Sequence, residues 1–300
     1  MMDTNGEAIV SASAGGQFTM VVSEDGRLWG TGNNDAGQLG LGDTKMRRKL
    51  TVVVPPCPTV VFRKVSCGLN HSGAVSVSGE VYTFGWGLNG RLGHGDCNKR
   101  CSPCLVEKLK DELVFVMDVA CGGASTGIVS DQGDVWSWGW NFYGQCGIPL
   151  ADESSASNSP SVFDDYPSAP TSEGGDEGEG GGGNVLLPRL TLSGKVVTSL
   201  SLGFAHAAAI SAVGELYTWG FNEEGQLGLG HEQNQFEPHA VTVEMPDPDG
   251  SGETLSTKER GRRKLRVLGV ACGHTHTAII VSKLTSVQND LRREEGAKKR

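Results

Sequence analysis

Four groups of residues in this 300-residue chain have the types and spacing to do chemistry. The first is a glycine loop, GQLGLG at 37–42 and 225–230, with a relative GRLGHG at 90–95. Such loops cradle phosphate when they join a strand to a helix and end in Lys-Ser/Thr. The second group is His71, His206 and His276, residue types that ligate metals or move protons. The third is Cys97, Cys101 and Cys104, spaced C-x3-C-x2-C, with Cys57 elsewhere. A structural zinc takes four ligands, usually as two close pairs, and the fourth ligand here is unassigned. The fourth is Trp86, Trp140 and Phe221, aromatics of the kind that anchor protein partners.

The elements that must position these residues are copies of one another. Aligned on one glycine, the chain reads LWGTGNNDAGQLGLGD (28–43), VYTFGWGLNGRLGHGD (81–96), VWSWGWNFYGQCGIP (135–149) and LYTWGFNEEGQLGLGH (216–231). The anchor glycines Gly32, Gly85, Gly139 and Gly220 are 53, 54 and 81 residues apart. Other glycines hold fixed offsets: Gly26, Gly79, Gly133 and Gly214 lie six before the anchor, and Gly15, Gly68, Gly122 and Gly203 lie seventeen before it. A fifth unit begins at Gly273 and then loses the pattern, because Leu284 stands where the next glycine is due. The chain thus holds four and a half repeats.

Each repeat reads as β. A short apolar strand (Arg63–Cys67, Val116–Cys121, Leu268–Cys272) is followed by a glycine and a second strand (Gly73–Val77, Thr126–Val129, Ala207–Ile210). A turn such as Asp25-Gly26 leads to a third strand ending at the anchor. A fourth strand is expected near Leu50–Val54 and Ala240–Val243. Four antiparallel strands per unit of about fifty residues specify an all-β chain and a β-propeller, here an incomplete or unusually small ring. In this setting the glycines make turns and close backbone approaches. A phosphate loop occurs once, whereas these loops recur, carry no following Lys and precede no helix.

The remaining chemistry is weighed against the same frame. Trp86, Trp140 and Phe221 each follow an anchor glycine, so repetition puts them on one rim, as partner anchors or packed over their own blade glycine. Asp43 and Asp96 end two glycine loops on the same candidate face. The histidines share a position three after the blade glycine, with Phe18 and Ser125 in the other repeats. They either converge on a central channel or hydrogen-bond backbone between blades, and the second is the simpler reading. Cys67, Cys121 and Cys272 read as small buried residues. No nucleophile elbow, H-E-x-x-H or pair of carboxylates on one element is found, so the chain is read as a non-enzyme that calls for no cofactor and no metal.

Composition bounds the rest. Glycine is 44 of 300, about twice the usual share. The net charge of −9 resides in residues 150–184, which hold eight acids and no Lys or Arg, leaving 27 acids against 26 bases elsewhere. A broadly basic nucleic-acid surface is not indicated, although KMRRK (45–49), RGRRKLR (260–266) and the terminal KKR are local basic runs. The N-terminus lacks signal-peptide character and no apolar run is long enough for a membrane span. Cytoplasmic or nuclear residence, not secretion, is the expectation. The domain plan is repeats one to three in 1–149, an acidic Gly/Ser-rich disordered insert in 150–184, repeat four and the half repeat in 185–283, and a charged tail in 284–300.

The pattern L-Y-x-W-G-x-N-x-x-G-Q-L-G-x-G, preceded by C-G-x-x-H-T and a D-G turn, resembles the regulator of chromosome condensation family. The resemblance covers 8–149 and 185–282. It implies a β-propeller, usually of seven repeats. The family includes a chromatin-bound guanine-nucleotide exchange factor for the GTPase Ran, ultraviolet-B photoreceptors, ubiquitin-ligase modules and adaptors. The photoreceptor tryptophans would fall at Gly16, Leu69, Gly123, Phe204 and His274, and none is Trp, so light sensing is not expected. The resemblance implies a protein partner, with a small GTPase as the alternative. An exchange factor works through loop acids and anchors, without covalent chemistry.

Overall fold

The computed structural model describes residues 6–149, 183–243 and 265–282. Among these residues the chain forms four four-stranded sheets and one two-stranded sheet, each a meander in which sequential strands are neighbours. The first blade is β1 (Ile9–Ala14), β2 (Phe18–Ser23), β3 (Leu28–Gly32) and β4 (Arg47–Val52). The second is β5 (Phe62–Cys67), β6 (His71–Ser76), β7 (Val81–Gly85) and β8 (Arg100–Leu105). A one-turn helix α1 (Glu107–Asp111) follows it. The third is β9 (Val116–Cys121), β10 (Ser125–Ser130), β11 (Val135–Trp140) and β12 (Asn184–Leu192). The fourth is β13 (Val197–Leu202), β14 (His206–Ser211), β15 (Leu216–Gly220) and β16 (Gln235–Val241). The half blade is β17 (Arg266–Cys272) and β18 (Thr277–Ser282).

One boundary differs from the sequence expectation. The sequence plan begins repeat four at residue 185 and has the insert either replace the third repeat's fourth strand or loop out beside it; in the structure Asn184–Leu192 pairs with β11, opposing Leu190 to Trp136 and Arg189 to Ser137. The third blade therefore recovers its fourth strand on the far side of the insert. Closure entropy grows slowly with the length of a connection, so the pairing survives an insertion of this size. The insert itself, apart from Gly183 and Asn184, lies outside the described residues, as do the charged tail and most of the second basic run.

The core lies between the blades. Met20, Val22, Leu28 and Leu39 of the first blade pack with Phe62, Val65, Ala74 and Phe84 of the second. Val75 and Val81 pack with Val119, Ile128 and Trp138 of the third, and Val129 and Val135 with Leu200, Ala207 and Trp219 of the fourth. No blade buries its own apolar face. Each depends on its neighbour, which is how a chain of 37% hydrophobic residues builds a core in slices.

The first strands form the hub, each touching the first strand of the next blade. Ser13, Ser66 and Ser201 accept, through their hydroxyl oxygens, the amides of Cys67, Cys121 and Cys272 in the following blade, each at 2.9 Å. Cys67 and Cys121 are buried there and Cys272 is partly covered, and desolvation pushes Cys67 and Cys121 up to about 12 and Cys272 to about 11. They are held as protonated thiols, not as nucleophiles. Just beyond, the hub glycines meet in series: a Cβ on Gly15 would lie 2.5 Å from the Gly68 carbonyl, and one on Gly122 2.5 Å from that of Gly203. That close approach accounts for the glycine seventeen residues before each anchor.

Candidate partner-binding face

Each third strand ends at an anchor glycine with positive φ: 109° at Gly32, 110° at Gly85, 113° at Gly139 and 106° at Gly220. A Cβ on Gly85 would lie 2.6 Å from the Asn70 carbonyl. That carbonyl accepts the amide of Trp86 at 2.9 Å, and the same bond holds Asn33, Trp140 and Phe221 to Gln17, Ala124 and Ala205. The four residues after the anchors thus leave their blades in one geometry on one rim.

Their side chains diverge. Trp86 is half-buried, with the Arg91 guanidinium 4.9 Å from its ring centroid. Trp140 is half-buried and meets Tyr143 edge-on at 5.4 Å. Phe221 is 4% exposed and packs on Tyr143 at 4.9 Å. Phe142, Phe204 and Ala205 complete an aromatic cluster over the third and fourth blades, and Phe204 stacks on His274 at 4.2 Å. So Trp86 and Trp140 present surface while Phe221 is core to the cluster. Sequence equivalence did not distinguish them, because burial depends on Tyr143 from a different blade.

Asp43 and Asp96 organise loops. Asp96 accepts the Asn98 amide at 2.9 Å and pairs with Arg100 at 2.7 Å. Asp43 does the same with the Lys45 amide at 3.0 Å and Arg47 at 2.7 Å. Both carboxyls are held below the usual range. The Arg47 hydrogen bond leads at Asp43, whereas at Asp96 the hydrogen bonds and the Arg100 charge outweigh an opposing desolvation. Each acid's charge is met by the arginine four residues on, which places Arg47 of the first basic run in a structural role.

The glycine loops are built from side chains that sequence analysis left unassigned. Asn34, Asn141 and Asn222 each receive the amide five residues ahead at 2.9 Å. Gln38, Gln145 and Gln226 fold back on the amide two before them. Asn two residues and Gln six residues past the anchor, in three of the four repeats, were the signal. In the second blade Arg91 replaces the Gln, is 1% exposed, and reaches Leu88 O, Asn89 Oδ1 and Gly123 O.

The histidines do not converge. His71 Nε2 lies 2.9 Å from Thr126 Oγ1 of the next blade, and His206 Nε2 3.0 Å from Thr277 Oγ1. Each threonine hydroxyl already donates to a loop carbonyl, Arg91 O at 2.7 Å or Gln226 O at 2.8 Å. The histidine is therefore the donor, through Nε2–H. The partner is a side-chain hydroxyl, not the backbone group expected. Burial, with the Arg91 charge second, brings His71 down to about 3, and burial brings His206 down to about 4. Both are neutral links between blades. Among the described residues no three His, Cys, Asp or Glu are grouped to hold a metal, Cys97 is exposed, and every cysteine is free.

Between the first two blades the rim opens into a cleft of about 310 Å³, lined by Asn33, Asp35, Asn70, Trp86, Asn98 and Lys99. An aromatic wall, amide side chains and one charge of each sign suit a polar peptide surface more than a small apolar ligand.

These features define an open β-propeller of glycine-anchored repeats with a loop-built aromatic rim. The RCC1-like domain model matches residues 1–279, and the chain belongs to that family. It is 28% identical over 281 residues to the ultraviolet-B receptor UVR8 of Arabidopsis thaliana, covering 93% of this chain and 52% of that protein. It is 31% identical over 293 residues to human E3 ubiquitin-protein ligase HERC2, covering 89% of this chain and 6% of that one. Human RCC1 domain-containing protein 1 is 32% identical over 234 residues, 75% of this chain and 57% of that protein. The chain thus spans about half the length, or far less, of these relatives. Among solved structures, Prp20p of Saccharomyces cerevisiae superposes with a TM-score of 0.70 at 21% identity, covering 98% of this chain and 60% of that one. Human WBSCR16 gives 0.71 at 20%, covering 94% and 60%. Both share the propeller. Among the described residues no helix is long and apolar enough to cross a membrane.

Proposed function

We propose that this chain is a protein-binding module that engages a partner through the rim of Trp86 and Trp140 and the adjoining cleft. The observation that carries the reading is the position of Trp86. It forms the wall of the cleft, stands on a buried arginine, and is fixed at its backbone by its amide's hydrogen bond to the Asn70 carbonyl. A rigid, half-exposed aromatic is the usual anchor of a protein interface, because little side-chain freedom is lost on binding. The role is non-enzymatic, and residence in the cytoplasm or nucleus fits it. Affinity capture with the wild-type chain and with Trp86→Ala tests it. Partners retained by the first and lost from the second, with equal thermal midpoints, support the rim; partners equally retained exclude it.

A second reading has one observation behind it. Prp20p, similar in fold, has binding properties to Gsp1p and histones. A guanine-nucleotide exchange role toward a Ran-like GTPase would be seen as accelerated release of a fluorescent GDP analogue. No acceleration by the folded chain leaves the binding module. The match to a short part of HERC2 is also compatible with such a module serving within a larger ligase or signalling protein.

A further inference from the structure

One loop of the rim is built differently from the other three. Gln38, Gln145 and Gln226 each turn back to accept the amide two residues before them, at 2.9, 2.9 and 3.0 Å. The second loop has Arg91 in that place. There the chain makes a single 3-10 turn, Leu88–Gly90, with Asn89 in the left-handed region at φ 62°. Arg91 holds this turn from inside: Nε donates to Leu88 O at 2.8 Å and Nη2 to Asn89 Oδ1 at 3.1 Å. Glutamine ends where the guanidinium begins, and the extra length makes two further contacts. Nη1 reaches Gly123 O of the third blade at 3.4 Å, and the guanidinium carbon lies 4.9 Å from the centroid of the Trp86 ring. In the third and fourth loops the shorter side chain falls short, and the Nε2 atoms of Gln145 and Gln226 are buried without a partner.

Arg91 is fixed at both ends. Its carbonyl accepts the Trp138 indole at 2.9 Å and the Thr126 hydroxyl at 2.7 Å, both from the third blade. Its side chain is buried on the oxygens just named. Burying a guanidinium is costly, and hydrogen bonds to carbonyl and amide oxygens offset that cost. Glutamine builds the loop without it, as the other three loops show. What arginine adds at the rim is its contact with Trp86. The other rim aromatics rest on a different support, since Trp140 and Phe221 both lean on Tyr143. The amide bond to Asn70 O fixes the Trp86 backbone and leaves the side-chain torsions free. A cation under one face of the indole favours one setting of those torsions.

We propose that Arg91 is the positioning residue of the rim, holding the Trp86 ring as the fixed wall of the cleft between the first two blades. The inference rests on the partner-binding reading of that rim and adds the residue that makes its aromatic rigid. A ring already held in its bound orientation loses little freedom when a partner covers it. The exchange of Gln for Arg in this one loop thereby sets the second blade apart from the three that share the glutamine.

The test uses the full chain labelled with 5-fluorotryptophan and read by fluorine NMR, with the Trp86 resonance identified by its loss in Trp86→Phe. In Arg91→Gln, which installs the residue of the other loops, the Trp86 resonance should move toward its position in urea and respond more to the exchange of water for heavy water. The Trp138 resonance should stay, because its indole bonds the backbone carbonyl of residue 91. Asn89→Gly suits the φ of 62° and removes one oxygen from the guanidinium. It should move Trp86 the same way by less, and it keeps the test decisive if Arg91→Gln folds poorly. Trp86 unmoved in both variants overturns the proposal. So does a joint shift of Trp86 and Trp138, which would make Arg91 a support of the loop alone. A partner lost from Trp86→Ala and fully retained by Arg91→Gln overturns it too. Equal capture by the wild type and Trp86→Ala refutes the rim itself, and the fluorine spectra, which need no partner, tell that failure from this one.

Discussion

Replacing His71 by Phe should make the protein less stable at neutral pH and more stable in acid. The first blade supplies the precedent, since Phe18 stands against Gly15 as His71 stands against Gly68. The substitution therefore keeps the ring and removes the Nε2–H bond to Thr126. That hydroxyl still donates to Arg91 O, so the loss near pH 7.5 is that of one neutral hydrogen bond, about 1 kcal/mol. In acid the balance reverses. His71 has an ordinary value of 6.5 and a folded value of about 3, so between these the unfolded chain binds a proton that the folded chain refuses. Stability falls as pH drops below 6.5, by about 1.4 kcal/mol per pH unit, until the folded value is reached. At pH 4.5 the wild type has lost about 3 kcal/mol through this residue, and the variant none. The variant should thus be about 1 kcal/mol weaker at pH 7.5 and about 2 kcal/mol stronger at pH 4.5. Urea denaturation of both proteins at the two pH values measures it, and carboxylate titration is common to both and cancels. Parallel pH profiles with a constant offset would refute the reasoning, because they would mean that His71 is not buried in its neutral form.

Gly85→Ala should cost at least about 2 kcal/mol, since it combines a φ of 110° with a Cβ placed 2.6 Å from the Asn70 carbonyl; thermal denaturation that leaves the midpoint unchanged would show that the anchor can relax. Trp138→Phe keeps the ring over Gly93 but loses the bond to Arg91 O, and should cost about 1 kcal/mol plus the smaller ring's packing deficit, whereas Trp138→Ala should cost about 3–5 kcal/mol, both read by urea denaturation. Asp96→Asn retains an acceptor for the Asn98 amide and loses only a half-exposed ion pair, so its thermal midpoint should fall by no more than about a degree or two, while Asp96→Ala loses the turn as well and should melt earlier.

The repeat, the strand order and the rim position of Trp86, Trp140 and Phe221 were all legible in the sequence. So was the buried character of Cys67 and Cys121, whereas Cys272, expected to be buried like them, is only partly covered in the half blade. Each follows from a demand that recurs locally. A left-handed φ at Gly32, Gly85, Gly139 and Gly220, or a carbonyl pressed against Gly15 and Gly122, admits glycine alone, so glycine reappears at the same offset in every copy. Only the tertiary structure decided which equivalent residues differ in role. Phe221 is covered by Tyr143 of the preceding blade, and His71 and His206 bond threonines of the following one. Asn184–Leu192 completes a blade that the sequence interrupts for more than forty residues, and Asp43 and Asp96 are spent on arginines of their own loops. These outcomes depend on contacts between blades or on side chains that turn back within a loop. A repeat pattern specifies what every copy shares, and it carries no record of which neighbour each copy meets.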